Sequence, residues 1–133
     1  MLIFSGLWGV LRLGDRIPPY RLSMGVSLPP MGRLAAFWRP AITAELDRLP
    51  GLVVDLRSAT YAGAWRPGER GVSVRVLKEG KVVSHMAKAT RGEIARALLE
   101  SGLTPTTPEE LAKALDGLGY AVRPAPGRLD IDI

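Results

Sequence analysis

Residues 72–77 alternate as Val-Ser-Val-Arg-Val before Leu77, and this short stretch constrains the fold more than any other. A period of two puts every apolar side chain on one face, so the segment reads as a half-buried strand. Lys78-Glu79-Gly80-Lys81 then turns the chain back into Val82-Val83, which predicts a β-hairpin. A helix is expected from about Arg91 to Ser101, stopped by Gly102. Thr107-Pro108-Glu109-Glu110 has capping-box spacing with proline at the first helical position, and opens a helix to about Leu115. Tyr120 to Arg123 and Leu129 to Ile133 read as two short strands, with Asp130 and Asp132 on the outer face of the second.

The N-terminal part is more punctuated. Residues 2–11 read as a strand running into the glycine-bracketed turn Gly6-Leu7-Trp8-Gly9. Residues 12–33 are rich in proline and glycine and read as an irregular connection, of a length often tied to function. Apolar residues at 34, 37, 38, 41, 42, 46 and 49 follow a helical period, and Pro40 either starts that helix or kinks it. Pro50-Gly51 ends it, Leu52 to Leu56 reads as a buried strand, and residues 57–71 read as a loop. Strands and helices thus come in mixed order. The expectation is an α+β domain over residues 1–133, with a mixed β-sheet, a β-hairpin and about three helices.

Composition excludes several chemistries. The chain has no cysteine, so it has no disulfide framework, thiol nucleophile or cysteine zinc site, and its single histidine cannot make a His-rich metal site. Neither a metal nor a cofactor is expected. Asp55, Glu69 and Glu93 do not form a spaced carboxylate pair. The apolar run from Met1 to Leu11 is too short to span a bilayer and lacks a basic leader, which points to a soluble, cytoplasmic protein with no membrane partner. The net charge is +5, and fourteen of the eighteen basic residues are arginine. Residues 1–100 hold fifteen basic and eight acidic groups, whereas residues 101–133 hold three and five. Such a basic body favours a nucleic-acid or nucleotide partner, although a GC-rich genome that uses arginine for lysine gives the same composition.

Ser84-His85-Met86-Ala87-Lys88-Ala89-Thr90-Arg91-Gly92 gathers the histidine and two cations after Val82-Val83. Thr90 and Glu93 have Thr-x-x-Glu spacing, so the helix is expected to start there, with Lys88 and Arg91 flanking its exposed amides. Such an end favours phosphate or carboxylate. The alternative is a simple cap with both cations solvated. His85 is either a proton shuttle or structural. Arg21, in Pro19-Tyr20-Arg21-Leu22, either reaches an anion or ties its loop to carbonyls. Trp65, beside Arg66 in a loop, is the better candidate for stacking on bases, while Trp38 lies in an apolar helical stripe. Gly117-Leu118-Gly119 has the shape of a helix-hairpin-helix turn, but the residues after it read as strand.

Several blocks together resemble one family, the YaaA peroxide stress proteins. They are Ser5-Gly6-Leu7-Trp8-Gly9-Val10-Leu11, Pro19-Tyr20-Arg21-Leu22-Ser23-Met24-Gly25, Phe37-Trp38, Val54-Asp55-Leu56-Arg57-Ser58 with Tyr61, and Ala87-Lys88-Ala89-Thr90-Arg91-Gly92. The resemblance is to the C-terminal half of the family, whose members are about twice this length; the N-terminal half with its Ser-Pro-Ala-Lys signature is not in the sequence. Ser23 stands where the family usually has glutamate, Leu13 where it has proline, and Asp55, Arg57 and Thr60 also depart from its pattern. The resemblance implies a cytosolic bacterial protein of the oxidative-stress response, tied to limiting free iron and protecting DNA. It also implies a mixed α+β fold with a basic cleft and a helix-hairpin-helix-like element.

Three functional expectations result. The first is non-specific binding of duplex or branched DNA through phosphates. The second is an enzyme on a nucleotide or other small anion, held by Lys88 and Arg91 with His85 as acid or base. The third is a truncated fragment without function. Its Leu2, Ile3, Phe4, Leu7 and Trp8 would then form a face covered by the missing half, and a chain carrying that half is a further candidate partner.

Overall fold

The central strand of the protein, β6 (Gly71–Lys78), carries the alternation that the sequence shows, with Val72, Val74 and Val76 buried and Ser73 exposed. The computed structural model describes residues 1–133, which group into two compact units. The first unit holds residues 1–50 and 57–66, and the second holds residues 51–56 and 67–133.

In the second unit, β6 is flanked by β5 (Val53–Asp55) and β9 (Arg128–Asp132), both parallel to it. β8 (Ala121–Ala125) pairs antiparallel with β9, and β7 (Lys81–Val82) folds back on the end of β6. The strand order β5-β6-β9-β8, with β7 beside β6, makes a mixed five-stranded sheet. The β6–β7 turn is the expected hairpin: Glu79 and Gly80 both have positive φ, at 51° and 75°, as a two-residue type I′ loop requires.

Helices α3 (Ser84–Ser101) and α4 (Pro108–Gly117) supply Ile94, Leu111 and Leu115 to a core completed by Val72, Val74, Leu129 and Ile131. Leu52, Val54, Leu56, Leu98 and Tyr120 pack around that core. α4 starts as its capping box requires, with the Glu110 amide donating to Thr107 Oγ1 at 3.1 Å. The reciprocal bond lands one residue early: the Thr106 amide and hydroxyl donate to Glu110 Oε2 at 2.7 and 2.9 Å. These two donors hold the Glu110 carboxyl below its usual range. Gly117-Leu118-Gly119 ends α4, and a strand, not a second helix, follows.

The other face of the sheet is charged, because β9 alternates Leu129, Asp130, Ile131, Asp132. Asp130 lies opposite Arg75 on one side and Arg123 on the other. Arg75 holds it with two bonds of 2.9 and 2.8 Å, and Arg128 Nε adds a third at 2.9 Å. Arg123 grips Asp132 with bonds of 2.6 and 2.8 Å. The guanidinium of Arg75, then that of Arg128, holds the Asp130 carboxyl below its usual value against the opposing effect of burial.

In the first unit, β1 (Leu2–Ser5) and β2 (Gly9–Arg12) form an antiparallel ribbon, and β3 (Ser27–Leu28) pairs with β4 (Gly32–Arg33) in a minimal ladder. Helix α1 (Leu34–Leu46) begins well before Pro40 and runs through it. A single-turn helix, α2 (Ala59–Ala62), lies within the stretch expected to be loop, so four α-helices form where about three were expected. Met24, Leu34, Ile42, Leu46, Ala64 and Trp65 are the buried apolar residues of the first unit. No helix is long and apolar enough to cross a membrane.

Candidate nucleic-acid interface

Four of the residues singled out from the sequence, His85, Lys88, Thr90 and Arg91, lie on α3. The helix starts at Ser84, six residues before the expected Thr90 cap, and Val83 precedes it in extended conformation without any side-chain cap. Thr90 is therefore not a capping residue. It is 9% exposed in mid-helix, in one inward stripe with Ala87 and Ile94. Two causes extend the helix upstream. Met86, Ala87, Lys88 and Ala89 are strong helix formers, and an inward stripe starting at Ala87 buries more than one starting at Thr90.

The amides of residues 88–92 are consequently internal to the helix and bonded one turn back, not exposed to an anion. The free amides belong instead to the first turn at Ser84, His85 and Met86. His85 and Lys88 are exposed and share a face, three residues apart. Side chains on a helix lean toward its N-terminus, so Lys88 leans over that first turn. Arg91 is half-buried, and its Nε–H donates to the Ala87 carbonyl at 3.1 Å. Lys78 and Lys81 pair across the preceding hairpin turn, and both are exposed. Lys78, Lys81, His85 and Lys88 make no ion pair.

Arg21, Trp65 and Arg66 belong to the first unit. Arg21 and Arg66 are exposed and have no ion pair. Trp65 corrects the expectation of a stacking platform. It is 5% exposed, and its indole Nε1 donates to Asp47 Oδ1 at 2.8 Å. The Arg57 guanidinium sits 5.7 Å from its ring and donates to its carbonyl at 2.8 Å. A residue so enclosed cannot offer a π-face to a base. Trp38, which its apolar stripe would place in the core, is only half-buried and donates to the Gly6 carbonyl at 2.9 Å.

A tight cluster in the first unit was not assembled from sequence. The Ser5 hydroxyl hydrogen-bonds the Tyr20 phenol and accepts the Trp8 amide at 3.0 Å. Arg57 lies over Phe4 at 4.4 Å. The chain passes so closely here that a Cβ on Gly6 would lie 2.4 Å from the Leu22 carbonyl oxygen, and one on Gly9 would lie 2.8 Å from the Trp38 ring. The glycines bracketing the turn were the available signal: each marks a close approach from a segment distant in sequence. No group of three His, Asp or Glu side chains is placed to hold a metal ion.

Comparison with known proteins agrees with these blocks. A family model described as "Peroxide stress protein YaaA" matches residues 1–125. A UPF0246 protein of Streptomyces coelicolor is 53% identical over 96% of this chain and 53% of its own length. UPF0246 proteins of Corynebacterium efficiens and Salinispora tropica are 42% and 39% identical, covering 96% and 92% of this chain and 56% and 49% of their own lengths. The chain spans about half the length of these relatives. With nearly every residue inside these matches, the chain belongs to the YaaA family of peroxide stress proteins.

Proposed function

We propose that this chain acts in the peroxide stress response by binding DNA through its phosphates, without reading bases, and so shields it from oxidative damage. The observation that carries the reading is the run of exposed, unpaired cations Lys78, Lys81 and Lys88, which leads into the uncapped first turn of α3. Backbone amides and the helix dipole favour an anion at that turn, and the lysines add sequence-independent attraction. His85 lies in the same turn and can donate a ring N–H to a phosphate oxygen.

The two acids of β9 do not oppose this. Asp130 and Asp132 are held by Arg75, Arg128 and Arg123, so their charge is matched locally. The test is fluorescence anisotropy on labelled duplexes of unrelated sequence across a salt series. A Lys78→Gln, Lys81→Gln, Lys88→Gln triple variant should weaken binding to all of them alike. Three lost phosphate contacts should flatten the slope of log affinity on log salt by about 2.7. If the triple variant kept both the affinity and the slope of the parent, this surface would not be the interface.

A further inference from the structure

The β1–β2 ribbon carries apolar side chains on both faces, with Arg12 opposite Leu2 at its open end. Its register places Ile3 with Leu11 on one face, and Leu2 and Phe4 with Val10 on the other. Near-continuous apolar strands of this kind are the pattern of a sheet covered on both sides. Here the two strands pair only with each other, so each has one outer edge without a strand partner. Arg57 covers Phe4. Leu2, Ile3, Leu7 and Trp8, however, remain 38%, 40%, 40% and 47% exposed. A two-stranded ribbon is marginal in water without further strands or an apolar layer, and large exposed apolar patches mark interaction surfaces.

A second, independent observation bears on what could cover it. The relatives are about twice as long as the matched segment, with 53% and 56% of their lengths accounted for. We infer that the β1–β2 ribbon is an unfinished sheet, and that its occupant is the half of the family chain that this sequence does not span. That half contributes strands to the free edges and apolar side chains over Ile3, Leu7 and Trp8. This inference stands apart from the DNA reading, which rests on the second unit.

The experiment is a full-length chimera in which this chain replaces the matching segment of the Streptomyces coelicolor relative. Hydrogen exchange is followed by mass spectrometry on peptides covering residues 1–12, in the chimera and in the chain alone. The expected result is slowing of about tenfold or more in the chimera, with Trp8 becoming less accessible to acrylamide. Equal exchange in both proteins overturns the inference. Should the chimera not fold, the intact Streptomyces relative takes its place, and its positions aligned with β1 and β2 must exchange more slowly than those of the chain alone. Light scattering on the chain alone supplies the remaining test. A concentration-dependent dimer that protects residues 1–12 to the same degree would assign the face to a second copy and overturn the inference.

Discussion

Replacing Gly6 and Gly92 separately by alanine should give effects of opposite sign, because the two glycines meet different surroundings. A Cβ at position 6 would lie 2.4 Å from the Leu22 carbonyl oxygen and 3.0 Å from the Ser23 carbonyl carbon. Both obstacles are backbone, so no rotamer change relieves the overlap. Overpacking costs about 1–3 kcal/mol, and an obstacle that cannot swing aside places Gly6→Ala at about 3 kcal/mol. Gly92 lies inside α3 and is exposed, and an added methyl group there would meet no atom within 4 Å. At that position alanine relieves the entropic cost of a helical glycine and should add about 0.5–1 kcal/mol. Trp8, Trp38 and Trp65 all belong to the first unit, so tryptophan fluorescence in a urea titration reports on Gly6→Ala. Far-UV circular dichroism follows Gly92→Ala. A Gly6→Ala protein within about 0.5 kcal/mol of the parent, the range of an ordinary surface substitution, would refute the close packing of the Gly6–Gly9 turn on the Tyr20 segment.

Two further outcomes are expected. Asp130→Asn should cost about 1–2 kcal/mol at neutral pH, toward the low end for charge-assisted bonds because Arg75 and Arg128 are 40% and 38% exposed. Folding lowers the pKa of the Asp130 carboxyl below its unfolded value, so its contribution is complete above the unfolded value and fades as pH falls through the folded one. The parent should therefore lose urea resistance below about pH 4, while Asp130→Asn shows a flatter acid limb; parallel limbs would exclude this role. Thr107→Ala should cost about 1 kcal/mol by removing a cap, whereas Glu93→Ala, whose Thr-x-x-Glu box does not form, should stay within about 0.5 kcal/mol. Equal losses in thermal melts would restore a cap at Thr90.

Local chemistry made much of the second unit legible. The period of two across Val72–Val76, the Glu79-Gly80 turn and the Thr107 cap each act within a few residues and form as expected, with only the reciprocal bond of the capping box displaced to Thr106. The start of α3 was not legible, because two local signals compete there. The spacing of Thr90 and Glu93 mimics a cap, and the helix-forming run from Met86 to Ala89 prevails once Ala87, Thr90 and Ile94 can all be buried. The displacement matters for the candidate site, since it moves the free amides from residues 88–92 to the first turn at Ser84. Trp65 was misplaced for a different reason. Its hydrogen-bond partner, Asp47, is eighteen residues away, and no local rule joins a loop tryptophan to the end of a preceding helix. The Arg75–Asp130 pair spans fifty-five residues and exists only because β9 lies beside β6.

The arginine–aspartate ladder on β9 has a kinetic consequence. Within the second unit, opposite charges only a few ångströms apart cancel at distances beyond the screening length of physiological salt, which is about 8 Å. If the proposed DNA binding holds, an incoming polyanion would meet little repulsion from the C-terminal strands and a pull from the lysines that flank the Glu79-Gly80 turn. Encounters would then be oriented before any contact forms, and the association rate, more than the lifetime of the complex, would carry the imprint of ionic strength.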